Sequence, residues 1–263
     1  MELGLKGKVA LVTGASKGIG RAVAAALAAE GARVAICARD SGVVKAAAAA
    51  IATETGSEVL PISADMSRLE DVERFVEEAA AHFGRIDILV TCAGSAPAGL
   101  PTELSEEAWN TAIGLKLLGY IRSARAVVPH LRRQGKGRII FVAGNAGKEP
   151  GVMMATAGVT NASVTVFAKA LSQEVASAGI TVNVVSPGLI NTDRGAGLIR
   201  SFARARGVSE AEARRDFESR VPVGRLGEAV EVADLVVFLA SDRAGFINGV
   251  SVSIDGGARQ SII

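Results

Sequence analysis

Histidine, cysteine and aromatic side chains are scarce in this chain. Its 263 residues include two His, two Cys, one Trp, one Tyr and eight Phe. So few ligating side chains, scattered along the sequence, form no metal-binding cluster. Cys37 and Cys92 each stand at the end of an apolar, strand-like run. If those strands flank the first strand, the two thiols are roughly 10 Å apart, and a disulfide needs Cα atoms within ~7 Å. Both are therefore read as small buried hydrophobes. With aromatics at 4% and hydrophobic residues at 49%, the core has to be built from Ala, Val, Leu and Ile. A net charge of +2 with 21% charged residues leaves no basic footprint for nucleic acid or an anionic membrane. No apolar run approaches the ~20 residues of a membrane span. Lys8 directly precedes the first apolar run, with no leader-type apolar segment before it. The expectation is a soluble, cytoplasmic protein.

What the chain does have is glycine, 30 residues of it, and a regular alternation of apolar runs with helical patterns. Strands are expected at 9–12, 32–38, 57–63, 86–91, 138–143, 181–186 and 250–254. Helices are expected at 21–30, 43–55, 70–84, 106–133, 155–177 and 229–240, with a further helical excursion at 194–217. Ser105 is the expected N-cap of the fourth helix, and acids fill that helix's first turn. Near-continuous apolar strands are those covered on both faces, and strand–helix alternation gives a parallel sheet. The fold class is therefore α/β, a doubly wound Rossmann-type sheet. Residues 1–263 form one domain, with a helical lid at about 191–225. No linker or internal repeat divides it.

The stretch with the most chemical content is Thr13-Gly14-Ala15-Ser16-Lys17-Gly18-Ile19-Gly20, which follows the first strand and opens the first helix. Gly14 permits the tight turn, Gly18 lets the backbone approach a ligand, and Gly20 lets helix and strand pack closely. The free N–H groups at the helix start then face an anion, most simply a pyrophosphate. In this context the three glycines point to a dinucleotide site.

Further along stand Ala64-Asp65-Met66, Asp87-Ile88-Leu89-Val90 leading to Ala93-Gly94, and Gly137-Arg138-Ile139-Ile140. Then come Gly179 through Ser186-Pro187-Gly188, Pro222-Val223-Gly224-Arg225-Leu226-Gly227 and Asp255-Gly256-Gly257. In this order, over essentially the whole chain, these motifs resemble the short-chain dehydrogenase/reductase family, and among its members the 3-oxoacyl-carrier-protein reductases. The resemblance implies a nicotinamide dinucleotide, held by Gly14, Ser16, Lys17, Gly18, Ile19 and Gly20. It places Asp65 and Met66 at the adenine, Ala93 and Gly94 along the cofactor, and Pro187, Gly188, Ile190 and Thr192 near the nicotinamide. It also implies a homo-oligomer, a tetramer or dimer, paired through the two long helices. Val159, Ala162, Val166 and Ala170 form a small-residue stripe on the second of these. An acid at the end of the second strand would favour NAD by binding the ribose 2′-OH and repelling a 2′-phosphate. Ala38 is there instead, followed by Arg39, and Lys17 lies inside the glycine turn. These cations favour NADP(H) over NAD(H). The alternative is that Arg39 stacks on the adenine or pairs with Asp40.

At the reacting end the match stops. The family uses Asn, Ser, Tyr and Lys: Tyr as acid/base, Ser on the substrate carbonyl, Lys on the ribose and lowering the Tyr pKa, Asn supporting a proton relay. Counting from the family landmarks, these positions hold Lys116, Gly144, Ala157 and Asn161. The count back from Lys169-Ala170-Leu171 reaches the same Ala157. The chain's one tyrosine, Tyr120, lies elsewhere, so no catalytic residue carries over. Ala157, Asn161, Val164, Ala168, Leu171 and Val175 share a helical stripe in which Asn161 is the lone polar member. Its amide can bind a ribose hydroxyl but cannot supply a cation.

Lys116, among Ala112, Ile113, Leu117 and Gly119, is the candidate replacement, as oxyanion stabiliser or desolvated proton donor. The competing reading has it snorkelling to solvent or paired with a carboxylate. Gly144, Asn145, Thr156 and Ala157 are expected to line the substrate pocket, with Thr160 nearby. Lys148-Glu149 reads as a surface pair, and His82 and His130 as structural. The arginine-rich excursion fits a lid over a small, anionic substrate. The functional expectation is an NADP(H)-binding oxidoreductase acting on a carbonyl, alcohol or enoyl substrate through an atypical site. The alternatives are a catalytically silent dinucleotide-binding sensor or scaffold, and a lyase or isomerase on the same fold.

Overall fold

The first strand, β1 (Val9–Thr13), shows how the molecule is layered. Strand residues alternate between faces. Val9 and Leu11 enter one buried cluster, and Ala10 and Val12 enter another on the opposite face. β2 (Arg33–Ala38) repeats the pattern, with Ala35 and Cys37 on the first side and Val34 and Ile36 on the second. The computed structural model describes residues 2–261. Among these, seven strands form one sheet in the order β3-β2-β1-β4-β5-β6-β7, and every neighbouring pair is parallel. The others are β3 (Val59–Ser63), β4 (Ile88–Thr91), β5 (Gly137–Val142), β6 (Ile180–Pro187) and β7 (Ser251–Ile254).

Helices α1 (Gly18–Ala29) and α2 (Ser41–Thr55) cover one face, and α3 (Leu69–Phe83) covers the other. The segment expected as a single helix at 106–133 is interrupted. It begins as α4 (Glu106–Ala112), capped by the Ser105 side chain. It then widens into a π-helical turn, Ile113–Leu118, and resumes as α5 (Gly119–Gln134). α6 (Ala155–Val175) follows β5. The excursion after β6 is two helices rather than one, α7 (Asp193–Arg206) and α8 (Glu210–Ser219), broken at Gly207, whose φ is +66°. α9 (Ala229–Ala240) leads to β7.

Val23 and Leu27 of α1, Ile51 of α2 and Val232 and Val236 of α9 fill one core. Phe75 of α3, Tyr120 and Val127 of α5 and Val164 and Leu171 of α6 fill the other. Each such side chain stabilises the fold by about 1.5–3 kcal/mol. The α6 stripe read from the sequence, Ala157 to Val175, is buried at each of its six positions. The excursion has its own small cluster, in which Ile199, Ala203, Ala213 and Leu226 are supported by Phe202 and Phe217.

The sheet order reverses direction between β1 and β4. In open α/β sheets ligands bind in the crevice at the carboxyl ends of the strands flanking that switch. Here those ends carry the glycine turn after β1 and Cys92-Ala93-Gly94 after β4. Cys37 stands on β2 and Cys92 directly after β4, either side of β1; both are free thiols, and burial pushes each up to about 12. No helix among the described residues is long and apolar enough to cross a membrane. No group of three or more potential metal ligands occurs among them.

Candidate active site

The cofactor half is built by backbone. Gly14 turns the chain with φ +65°, and a Cβ there would lie 2.7 Å from the Cα of Ala93. A Cβ on Gly20 would come within 2.3 Å of the Gly14 carbonyl oxygen. Only bare backbone fits at either position, so the turn keeps its shape and α1 starts directly beneath it. Lys17, the N-cap of α1, makes no side-chain capping bond, and the first turn holds no acid. The orphan N–H groups and the positive end of the helix dipole are thus left for an anion. Thr13 Oγ1 accepts from the N–H groups of Cys92 (3.2 Å) and Ala93 (3.3 Å), tying the ends of β1 and β4 together.

The side chains expected at the adenosine end divide into engaged and available. Asp40 caps α2, accepting from Val43 N–H at 2.9 Å, and Arg39 is exposed with no carboxylate partner among the described residues. The Arg39–Asp40 pair is therefore not formed. Lys17 Nζ stands 3.9 Å from Asp193, a pair exposed on both sides. Asp65 Oδ1 accepts from the N–H (2.9 Å) and hydroxyl (2.7 Å) of Ser67, which shapes the loop after β3. Met66 beside it is buried.

At the reacting end the structure brings together Lys116, Gly144, Ala157 and Asn161. A Cβ on Gly144 would lie 2.9 Å from Asn161 Nδ2. Ala157 sits one helical turn before Asn161 on the buried face of α6. Asn161 Oδ1 is buried with no hydrogen-bond partner. A buried, unmet acceptor calls for a donor, and the hydroxyl of a nicotinamide ribose fits that need.

Neither competing reading describes Lys116. It is buried, with no carboxylate partner among the described residues. Its Nζ donates to the carbonyls of Val142 (3.0 Å) and Ala143 (3.1 Å), at the end of β5, and lies 5.3 Å from the centre of the Tyr120 ring. The π-helical turn aims it there, an element that occurs frequently at functional sites. Burial, followed by the nearby Arg194 guanidinium, pushes its pKa from the ordinary 10.5 down to about 7. An ammonium has three N–H donors. With two on carbonyls, one remains unused. After losing that proton, the amine keeps both carbonyl bonds and presents a lone pair. Tyr120 is no substitute acid: it is buried, donates to Val142 O at 2.9 Å, and burial pushes its phenol well above the usual value.

Two expected substrate-pocket residues have polar groups engaged within the protein. Thr156 is fully buried and its hydroxyl donates to the Pro97 carbonyl at 2.7 Å, which braces the loop after β4 instead of facing a ligand. Asn145 Nδ2 donates to Asp255, which ties the loop after β5 to the segment after β7, while its Oδ1, like that of Asn161, is buried with no hydrogen-bond partner. Thr160 is likewise spent on Thr156 O at 2.8 Å. Lys148 and Glu149 do not pair with each other. Lys148 donates to Ser251 O at 3.1 Å, and Glu149 accepts from Gln260 N–H at 3.2 Å. His82 and His130 lie against Glu58 and Glu77. Helical periodicity over 106–133 gives no sign of the π turn or of Tyr120 beneath Lys116.

A seven-stranded parallel sheet with a glycine turn at its switch point and an anion-ready helix start defines a Rossmann-type dinucleotide-binding protein. A family model described as enoyl-(acyl carrier protein) reductase matches residues 14–259. The 3-oxoacyl-[acyl-carrier-protein] reductase of Escherichia coli (strain K12) is 37% identical over 255 residues, covering 97% of this chain and 98% of that protein. L-sorbose reductase from Gluconobacter frateurii, solved with NADPH and L-sorbose, superposes with a TM-score of 0.95 at 32% identity and covers 100% of both chains. An actinorhodin polyketide ketoreductase with NADPH gives 0.93 at 32% identity, over 97% of this chain and 98% of that one. The chain belongs to the short-chain dehydrogenase/reductase family.

Proposed function

We propose that this protein is an NADP(H)-dependent reductase of small carbonyl compounds in which Lys116 is the proton donor. The observation that carries the reading is the placement of Lys116: buried, unpaired with any described carboxylate, held by two carbonyls at the end of β5, and with a pKa near neutrality. Relatives named as reductases, two of them solved with NADPH, support the cofactor and the reaction class.

The residues fit the cofactor. The glycine turn and the uncapped start of α1 would hold the pyrophosphate, Arg39 and Lys17 the 2′-phosphate, and the unmet Asn161 Oδ1 a ribose hydroxyl. The chemistry it supplies when bound is hydride transfer. The protein's task is then to position the carbonyl and to meet the negative charge that develops on its oxygen. The third Lys116 N–H hydrogen-bonds that oxygen and then gives up its proton, a role a positioned acid fills with roughly a 10²–10⁴-fold gain. Gly144 and Ala157, in place of bulkier polar groups, leave the room. α7 and α8 act as the lid, and their arginines favour an anionic substrate. The exposed Val159 and Val166 face of α6 makes the protein a homo-oligomer, tetramer or dimer, which sedimentation velocity measures directly.

Cofactor binding is read from quenching of Trp109 emission, and turnover from NADPH oxidation across a carbonyl and enoyl panel. Binding with no turnover of any substrate would leave a silent binding protein and sink the reductase reading. Tighter binding of NADH than NADPH, unaltered by Arg39→Glu, overturns the cofactor choice. The four changes Lys116→Asn, Gly144→Ser, Ala157→Tyr and Asn161→Lys, made together, are expected to install the family's usual chemistry and make turnover independent of a lysine amine.

A further inference from the structure

The lid arginines are not alike. Arg206 and Arg220 approach Asp216, at 4.0 and 2.6 Å, Arg214 pairs with Glu218 at 2.8 Å, and Arg225 with Glu231 at 2.7 Å. Arg194, Arg200, Arg204 and Arg215 have no carboxylate partner among the described residues, and of these it is Arg194, in the first turn of α7, that reaches the loop after β4. Its neighbour Asp193 is turned toward Lys17. One Arg194 nitrogen, Nη1, donates to the Gly94 carbonyl at 2.9 Å. That contact brings the guanidinium to the loop after β4 and leaves most of its five N–H donors unused. On the inner side of the same glycine lies Lys116: a Cβ on Gly94 would meet Lys116 Cδ at 3.2 Å and Nζ at 3.6 Å. Two basic side chains therefore adjoin Gly94, and neither has a carboxylate partner among the described residues. They repel one another, and the Arg194 charge is one of the causes that depress Lys116. Such a pair is completed by an anion.

We propose that the cleft takes an oxo acid, its carboxylate paired with Arg194 and its adjacent carbonyl facing Lys116. The inference rests on the reductase reading for the fate of the carbonyl, but the binding step stands by itself. A carboxylate matches the guanidinium fork bidentately, a geometry that an ester or amide oxygen meets with a single, uncharged bond. A carbonyl within one or two bonds of the carboxylate suits two basic groups that adjoin one residue. The shared anion also screens Arg194 from Lys116 and so favours the ammonium form that the reaction needs. A free 2- or 3-oxo acid meets these requirements, and a neutral ketone leaves Arg194 unpaired.

The test is calorimetric titration of the protein, with and without NADPH, by oxamate and by its neutral counterpart oxamide, neither of which is reduced. Oxamate is expected to bind roughly 10- to 100-fold more tightly than oxamide, the range of one charge-assisted bidentate contact. Arg194→Gln is expected to erase that preference, whereas Arg204→Gln, farther along α7, keeps it. Equal binding of the two ligands, no oxamate binding at millimolar concentration, or a preference that survives Arg194→Gln overturns the proposal. So does equal loss in Arg204→Gln, which would indicate a diffuse field and not a site. Turnover of a 2-oxo acid beside its methyl ester separates this inference from the reductase reading. Oxamate binding through Arg194 without reduction of any oxo acid leaves the carboxylate site standing and removes the reductase. Reduction of ester and acid at equal kcat/KM leaves the reductase standing and removes the carboxylate site.

Discussion

Lys116 shows how far one side chain's chemistry depends on its surroundings. A lysine four residues from a tyrosine in a helical run gives no sign of where its amine points. Here the amine points into the protein, and two carbonyls hold it there. Lys116→Met keeps the length and apolar bulk, and Tyr120 still donates to Val142 O. Folding should therefore survive while the NADPH-dependent rate falls roughly 10²–10⁴-fold, the share expected of a lost general acid. In the wild-type protein the reduction rate should decline as pH rises through about 7, because the amine then has no proton to give, and the reverse oxidation should rise over the same interval. A pH profile of both directions checks this; a flat profile between pH 6 and 9 would remove Lys116 as the acid.

Among the elements, the glycine turn and the π turn differ in legibility. Gly14, Gly18 and Gly20 are readable because their spacing marks a local turn: Gly14 and Gly18 take positive φ, and Gly20 closes on the Gly14 carbonyl. A tight turn or a close helix–strand approach excludes a Cβ whatever else the chain does, so the glycine itself is the signal. Gly20→Ala would place a methyl 2.3 Å from the Gly14 carbonyl oxygen, and must displace either the turn or α1. NADPH binding measured by Trp109 quenching is expected to fall at least tenfold, about 1.4 kcal/mol, although Ala for Gly inside a helix is ordinarily stabilising by ~1 kcal/mol. The π turn over 113–118 carried no comparable mark. It arises where α4 and α5 must both pack: Gly119 is pressed against the Met66 carbonyl, which a Cβ would approach to 2.6 Å. That is a long-range contact, invisible to periodicity. The same reason applies to Thr156, whose hydroxyl donates to Pro97 O, 59 residues away in the chain.

At the scale of the molecule, the depressed lysine makes stability depend on pH. Its pKa is about 7 in the folded protein and the ordinary 10.5 when exposed. Below pH 7 both states hold the proton. Between about 7 and 10.5 the unfolded chain binds a proton that the native protein does not, so this residue's contribution to stability rises with pH across that window. The slope has a ceiling of about 1.4 kcal/mol per pH unit. Denaturant unfolding of the wild type against Lys116→Met, at pH 6 and pH 9, should show the gap in favour of wild type widening at the higher pH. No change in the gap would mean the amine is not desolvated.

Sheet class, the crevice at the end of β1 and the family were available from the residues, since each rests on local rules: apolar strands covered on both faces, helices at 3.6-residue spacing, glycines where a Cβ cannot go. So was the α6 stripe, with Asn161 as its polar exception. Where each buried polar group found its partner was not available. Lys116 meeting the end of β5, Arg194 meeting Gly94 and Asn145 meeting Asp255 join segments 26 to 110 residues apart in the chain, and the Asn161 oxygen is left unmet. A desolvated charge takes its pKa from what surrounds it, and those surroundings exist only once the sheet, the π turn and the lid have come together.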